Sequence, residues 1–249
     1  SLMTPDKHSW QPLIKDHAKK STKPLIVILG PTASGKTSFS IEVAKMLDAE
    51  IINADSRQLF TGMDIGTAKI TEEEKQGVPH HLIDVLDPKE KATSAWYKQV
   101  AQEKIDQLHS KGKIPMLVGG SMLYIAGITD GLSFDETIRT ELRSPEAECK
   151  YDLLVFGLGK ERSETVVKIN NRTEGLFAAG WIDEVQGLLD KGYTKDDPGM
   201  KACGYREIME YLESGSDLEE LKSSIAAKTR QYARRQVTWW RNDTRIQWL

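Results

Sequence analysis

Leu25-Ile26-Val27-Ile28-Leu29-Gly30-Pro31-Thr32-Ala33-Ser34-Gly35-Lys36-Thr37 decides the fold of this chain. The apolar run Leu25 to Leu29 is short, uninterrupted and rich in β-branched residues, as a strand buried on both faces requires. Gly30 to Thr37 fits G-x-x-x-x-G-K-[ST] at every fixed position. Apolar residues then recur at helical spacing at Phe39, Ile41, Val43, Ala44 and Leu47. Strand, glycine loop and helix thus follow one another in the order a phosphate-binding loop demands. The glycines let successive backbone N–H groups turn toward one centre, and the helix N-terminus adds partial positive charge. Gly30, Pro31, Thr32, Ala33, Ser34 and Gly35 form the cradle. Lys36 is placed to reach the terminal phosphates and the Thr37 hydroxyl to ligate Mg²⁺. A di- or triphosphate ligand is expected.

Outward from that stretch, 249 residues suffice for one large domain, or one domain with an appendage. At 39% hydrophobic and 29% charged the chain reads as soluble and globular. No apolar stretch approaches the roughly 20 residues of a membrane helix. The polar N-terminus is no signal peptide, so a cytoplasmic location is expected. Ser1-Leu2 ahead of Met3 reads as an expression remnant. Cys149 and Cys203 lack metal or CxxC spacing and are read as reduced thiols. A formal net charge of −3 weighs against a nucleic-acid coat but leaves room for a local basic face.

Residues 1–23 read as a polar, partly mobile leader without sustained period, and 24–158 as an α/β core. Strands are expected at 50–53, 80–85, 114–118 and 151–158, with helices at 71–76 and 94–110. Alternating strands and helices give a parallel, doubly wound sheet of the nucleotide-kinase-like phosphate-loop type. From 159 to 249 the chain reads as a helical region packed on that core, with helices at 162–179, 182–190, 205–213 and 218–240. Charge in the last segment is lopsided: Lys222, Lys228, Arg230, Arg234, Arg235, Arg241 and Arg245 stand against Asp243 alone.

Asp55 to Gln58 follow the second strand at its C-terminal end, where open α/β sheets place their ligands. Asp55 there suits a general base or a water-mediated Mg²⁺ contact, against a turn-forming or helix-capping role. Ser56 joins Asp55 in this polar run, Arg57 suits a phosphate, and Gln58 carries the paired donor and acceptor of an adenine reader. Gly119-Gly120-Ser121 ends another strand at the same edge; either it only turns the chain or it brings Ser121 to a ligand. His80-His81 reads as structural, because neighbouring strand residues face opposite sides. The basic C-terminal helix is either a solvated face or a phosphate-tracking ridge interleaved with Tyr232, Trp239 and Trp240.

The runs GPTASGKT, NADSRQLFTGMDIGTAK, GVPHHLIDVLDP and VGGS-x-LY resemble the tRNA dimethylallyltransferases, also called tRNA isopentenyltransferases. RTEGLFAAGWIDEV, KACGYREI and RQYARRQVTWWR are similar to that family's helical region, and the match spans about Leu25 to Trp248. The resemblance implies transfer of a dimethylallyl group from its diphosphate to N6 of the adenosine 3′ of the anticodon. It implies that Gly30 to Thr37 hold the prenyl diphosphate with Mg²⁺, that Asp55 is the general base, and that Thr32 and Arg172 contact the diphosphate. Lys36, Thr37 and Arg172 join Asp55 as catalytic groups. Asp55, Ser56, Arg57, Gln58, Ser121, Arg230 and Arg234 face the tRNA anticodon stem-loop. No membrane partner is implied, and a monomer is the working expectation.

Two departures accompany the resemblance. Gly120-Ser121-Met122-Leu123-Tyr124 stands where the family reads Gly-Thr-Gly-Leu-Tyr, so a side chain replaces a glycine beside the channel. The family also carries a helical insertion of several dozen residues with a basic tRNA-contacting motif, where this chain has only the polar stretch 133–150; either the protein lacks the insertion or, as is expected here, a mobile insertion has dropped out of the sequence. The competing activities are an adenylate isopentenyltransferase on free nucleotide, a nucleotide-kinase-type phosphotransferase, and a non-enzymatic ATP-gated RNA binder.

Overall fold

The computed structural model describes residues 6–135, 140–142 and 149–249. Its centre is β1 (Pro24–Leu29), in which all six residues are buried. Helices on both sides remove the two faces of this strand from water, so every position tolerates only apolar side chains.

Four more strands complete a parallel sheet around it: β2 (Glu50–Asn53), β3 (His80–His81), β4 (Pro115–Gly119) and β7 (Asp152–Gly157). A last strand, β8 (Ile246–Trp248), joins at the edge, giving the order β3-β2-β4-β1-β7-β8. Leu29 is level with Gly119 on one side and Gly157 on the other, while Asn53 is level with Val118. That register brings Gly30, Gly120 and Leu158 to one height at the carboxyl edge, with Ala54 level with Gly119. The backbones touch there. A Cβ on Gly30 would lie 2.3 Å from the Leu158 carbonyl oxygen, and one on Gly119 would lie 2.3 Å from the Ala54 carbonyl.

The helices are α1 (Lys7–Lys20), α2 (Lys36–Leu47), α3 (Glu72–Lys75), α4 (Ser94–Ser110), α5 (Met122–Thr129), α6 (Arg162–Ala178), α7 (Trp181–Asp190), α8 (Tyr205–Ser214) and α9 (Leu218–Trp240). One continuous core joins sheet residues such as Leu25 and Leu117 to Trp181, Tyr205, Ile225 and Trp240 of the C-terminal helices. The helical region therefore shares its core with the sheet.

Four expectations need correction. The leader contains α1, capped by Asp6, whose Trp10 and Ile14 are fully buried. Trp10 meets Phe39 edge-on at 5.0 Å, so one large aromatic docks a segment whose overall polarity hides it. The expected strand at 80–85 stops at His81, because Leu82 and Asp84 have φ of 63° and 56°, incompatible with extended backbone. α5 and β8 were not anticipated: α5 is apolar nearly all round and lacks an amphipathic stripe, and β8 is three residues long. Where the polar stretch 133–150 begins, β5 (Ser133–Asp135) pairs antiparallel with β6 (Thr140–Leu142). Residues 1–5 of the leader and 136–139 and 143–148 of that stretch lie outside the described residues.

Candidate active site

The loop after β1 turns through Ala33 (φ 62°) and Gly35 (φ 89°) before α2 begins at Lys36. The Lys36 ammonium donates to the Gly30 and Pro31 carbonyls, both at 2.8 Å, and lies 3.4 Å from Ser34 Oγ. Burial pushes its pKa down to about 7; Asp55 opposes the fall, and Arg172 and Arg57 add to it. Thr37, next in the chain, is exposed at the helix start.

Asn53 at the end of β2 builds the second wall. Its amide donates to the Asp55 and Leu82 carbonyls, and its Oδ1 accepts from the Asp55 N–H at 2.9 Å. Asp55 then caps the short 3₁₀ turn Ser56–Leu59, Oδ1 accepting from the Arg57 N–H at 3.0 Å. Asp55 Oδ2 lies 3.5 Å from the Arg57 guanidinium. The cap thus uses one carboxylate oxygen and the ion pair the other. Burial pushes the carboxyl up, but the Arg57 charge, the two hydrogen bonds from Arg57 and the Lys36 charge together hold it below the ordinary carboxylate range. Asp55 is therefore a carboxylate at neutral pH.

Ser121 joins two strand ends. Its hydroxyl accepts from the Ser56 N–H at 2.8 Å and ties the ends of β4 and β2 together. Met122 opens α5 and packs half-buried on the main core. Gln58 donates through Nε2 to the Thr67 carbonyl at 3.1 Å. His80 and His81 use ring nitrogens on the Val78 carbonyl and the Glu50 carboxylate.

Arg172 reaches the same place from α6. It lines a cleft with Thr32, Arg57, Gly66 and Trp181 among its other walls, about 370 Å³ of empty space partly open to solvent. Its pKa is lowered, first by burial and then by Arg57. The lining combines cationic and hydroxylic groups with the apolar Ile169, Leu176, Trp181 and Ile225. An anion with an apolar tail matches that combination. Cys203, Thr173 and Thr229 also line the cleft and were missed from sequence, since isolated residues on two helices and a turn leave no local pattern.

The basic ridge is less free than its sequence. Lys222 pairs with Glu174 and Glu219, Lys228 with Glu207, and Arg245 with Asp130 and Asp243. Arg230 donates to Asn170 Oδ1 at 2.5 Å. Arg234 and Arg241 stay exposed, and Arg235 stacks over Tyr232 at 5.6 Å. Arg230 and Arg234 do not join the cleft walls.

A phosphate loop at the carboxyl edge of a parallel sheet, with a half-buried carboxylate after β2 at the same edge, makes this a phosphate-loop α/β protein. The family described as IPP transferase matches residues 58–149 and 137–243. The tRNA dimethylallyltransferase of Geobacter sulfurreducens is 35% identical, with 94% of each chain covered. That of Symbiobacterium thermophilum is 36% identical, covering 91% of this chain and 89% of its own. Among solved structures, the full-length tRNA isopentenylpyrophosphate transferase of Bacillus halodurans superposes with a TM-score of 0.81 at 34% identity, covering 91% of this chain and 89% of that one. The chain belongs to the IPP transferase family. The Geobacter alignment runs over 292 positions against 249 residues here, so that relative has residues without counterpart in this chain. Among the described residues no helix is long and apolar enough to cross a membrane.

Proposed function

We propose that this protein transfers a dimethylallyl group from dimethylallyl diphosphate to N6 of the adenosine 3′ of the anticodon in tRNA. The observation that carries the reading is the cleft uniting Thr32, Arg57 and Arg172 with an apolar wall, beside ionised Asp55. The cationic groups suit a diphosphate and the apolar residues a five-carbon alkenyl tail.

In the reaction the bond from the allylic carbon to the diphosphate oxygen breaks, and the N6–carbon bond forms. Arg172, Lys36 and the loop N–H groups stabilise the charge growing on the leaving diphosphate. For this Lys36 exchanges its carbonyl partners for phosphate oxygens. An exocyclic adenine amine is a weak nucleophile, and its proton passes to Asp55 Oδ2, the oxygen that does not cap the turn. The base leaves the anticodon stack to reach this position.

The residues present fit Mg²⁺. Thr37 offers one exposed hydroxyl, and no group of three or more acidic, His or Cys side chains competes for a cation among the described residues. Mg²⁺ binds by few protein ligands together with phosphate oxygens and water, and would neutralise diphosphate charge.

The test is incubation with labelled dimethylallyl diphosphate plus tRNA, with the same donor plus adenosine monophosphate, and with ATP plus nucleoside monophosphates. Label on tRNA is the expected result. Label on the mononucleotide alone would favour the free-nucleotide reading, which the residues absent relative to the Geobacter protein support. Phosphoryl transfer alone would overturn both.

A further inference from the structure

Three consecutive backbone N–H groups, those of Asp64, Ile65 and Gly66, turn toward a single carboxylate. Glu184 of α7 accepts from Asp64 at 3.0 Å and Ile65 at 2.7 Å through Oε2, and from Gly66 at 3.4 Å through Oε1. The Tyr205 phenol donates to the same Oε1. Tyr205 is fully buried, and burial raises its pKa well above the ordinary phenol value, so it keeps the proton it donates. Such a concave run of N–H groups is an anion site. Here its anion is a side chain of the chain itself, delivered from the helical region.

The loop held in this way leads into the cleft. Gly66 is a wall of it, packed so tightly on the Trp181 indole that a Cβ would lie 2.2 Å from Nε1. Thr67, fully buried, donates its hydroxyl to the Met63 carbonyl at 2.7 Å and offers its own carbonyl to Gln58 Nε2. That contact leaves Gln58 Oε1 as the amide's acceptor and fixes which way the amide faces. A continuous line therefore runs from Glu184 through residues 64–67 to Gln58.

We infer that Glu184 is a positioning residue for the acceptor base: it holds residues 64–67 so that the Thr67 carbonyl orients the Gln58 amide. The inference rests on the prenyl-transfer reading and adds a residue that does not line the cleft. A plain structural staple between layers would give Glu184 the same hydrogen bonds, so the test must separate the two.

Kinetics on the whole protein do so. Glu184→Gln leaves one acceptor oxygen for four donors and sets an NH₂ against N–H groups. Its kcat/KM for tRNA should fall roughly tenfold to a hundredfold, as small misplacements near a reacting centre do. Binding of dimethylallyl thiodiphosphate by calorimetry should be unchanged. The deciding measurement is the cycle with Gln58→Ala. Groups acting as a unit are non-additive, so Glu184→Gln should cost little more once Gln58 is gone.

Losses that multiply, donor affinity that falls in step with transfer, or a Gln58→Ala variant as active as the parent would each overturn the inference. If Glu184→Gln does not fold, Tyr205→Phe removes one donor to the same carboxylate and must show the same coupling to Gln58. A parent protein that transfers nothing counts against the prenyl-transfer reading itself, whereas a transferring parent with multiplying losses counts only against Glu184.

Discussion

The carboxyl edge of the sheet and the exposed face of α9 both gather charge, and the tertiary structure treats them in opposite ways. At the edge, Asp55, Arg57, Lys36 and Arg172 lie close enough to shift one another's titration, beside a partly enclosed cleft that the two arginines line. Along α9 and the few residues after it, Lys222, Lys228 and Arg245 are answered by carboxylates from α6, α8 and the segment after α5, leaving Arg234, Arg235 and Arg241 exposed. Charge that converges in a low-dielectric cleft can bias a reaction; charge paired at the surface contributes little. A tally over one helix counts the cations and misses the carboxylates that come from elsewhere in the chain.

The largest expected effect lies at the edge. Asp55→Asn should lower single-turnover transfer by roughly 10²- to 10⁴-fold while donor binding stays nearly intact. Loss of Mg²⁺–diphosphate affinity with normal saturated turnover would instead make Asp55 part of a metal shell.

Next comes Arg172→Ala, which removes a charged hydrogen-bond donor from the cleft. It should weaken dimethylallyl thiodiphosphate by about 1.5–3 kcal/mol in calorimetry, and an unchanged affinity would detach α6 from the donor site.

Lys36 gives a smaller, pH-dependent effect. Its pKa is lowered to about 7, and a bound diphosphate favours the charged form. Donor affinity should then be full below pH 7 and weaken as pH rises through it, by up to roughly tenfold per unit. Affinity that is flat from pH 6 to 9 would mean the ammonium stays charged in the cleft. Asp55, held below the usual carboxylate range, should add no limb in that window.

The smallest effects test the ridge. Arg234→Ala should reduce the salt slope of tRNA binding by about one unit if Arg234 meets a phosphate. Lys228→Ala, whose charge Glu207 already answers, should leave the slope unchanged and alter stability by only about 0–1 kcal/mol. Equal slopes for both variants would erase the contrast between paired and unpaired cations on α9.

Much of the architecture was legible because its signals are local. β1, the phosphate loop and α2 occupy one uninterrupted stretch, and α4 and α9 match their expected limits residue for residue. The parallel sheet followed from strands alternating with helices. α1 was not legible, since a single buried tryptophan docks it through Phe39, a residue whose partner cannot be inferred from spacing. Leu82 and Asp84 broke the third strand through backbone angles that their side chains do not announce.

The sequence by itself determined the phosphate loop, the polar turn Asp55 to Gln58 at a strand end, and the family to which the chain belongs. Each is a matter of residue type at fixed short spacing, where the backbone leaves few alternatives. Only the tertiary structure decided that Arg172 and Thr32 share a cleft, that Ser121 pins the Ser56 N–H, and that Asp55 divides its oxygens between a cap and the Arg57 guanidinium. It also decided that Glu184 fills the N–H groups of residues 64–66, about 120 positions away. Contacts at such separation depend on how layers pack and on which strand ends come level, and no period or motif in the chain encodes them locally.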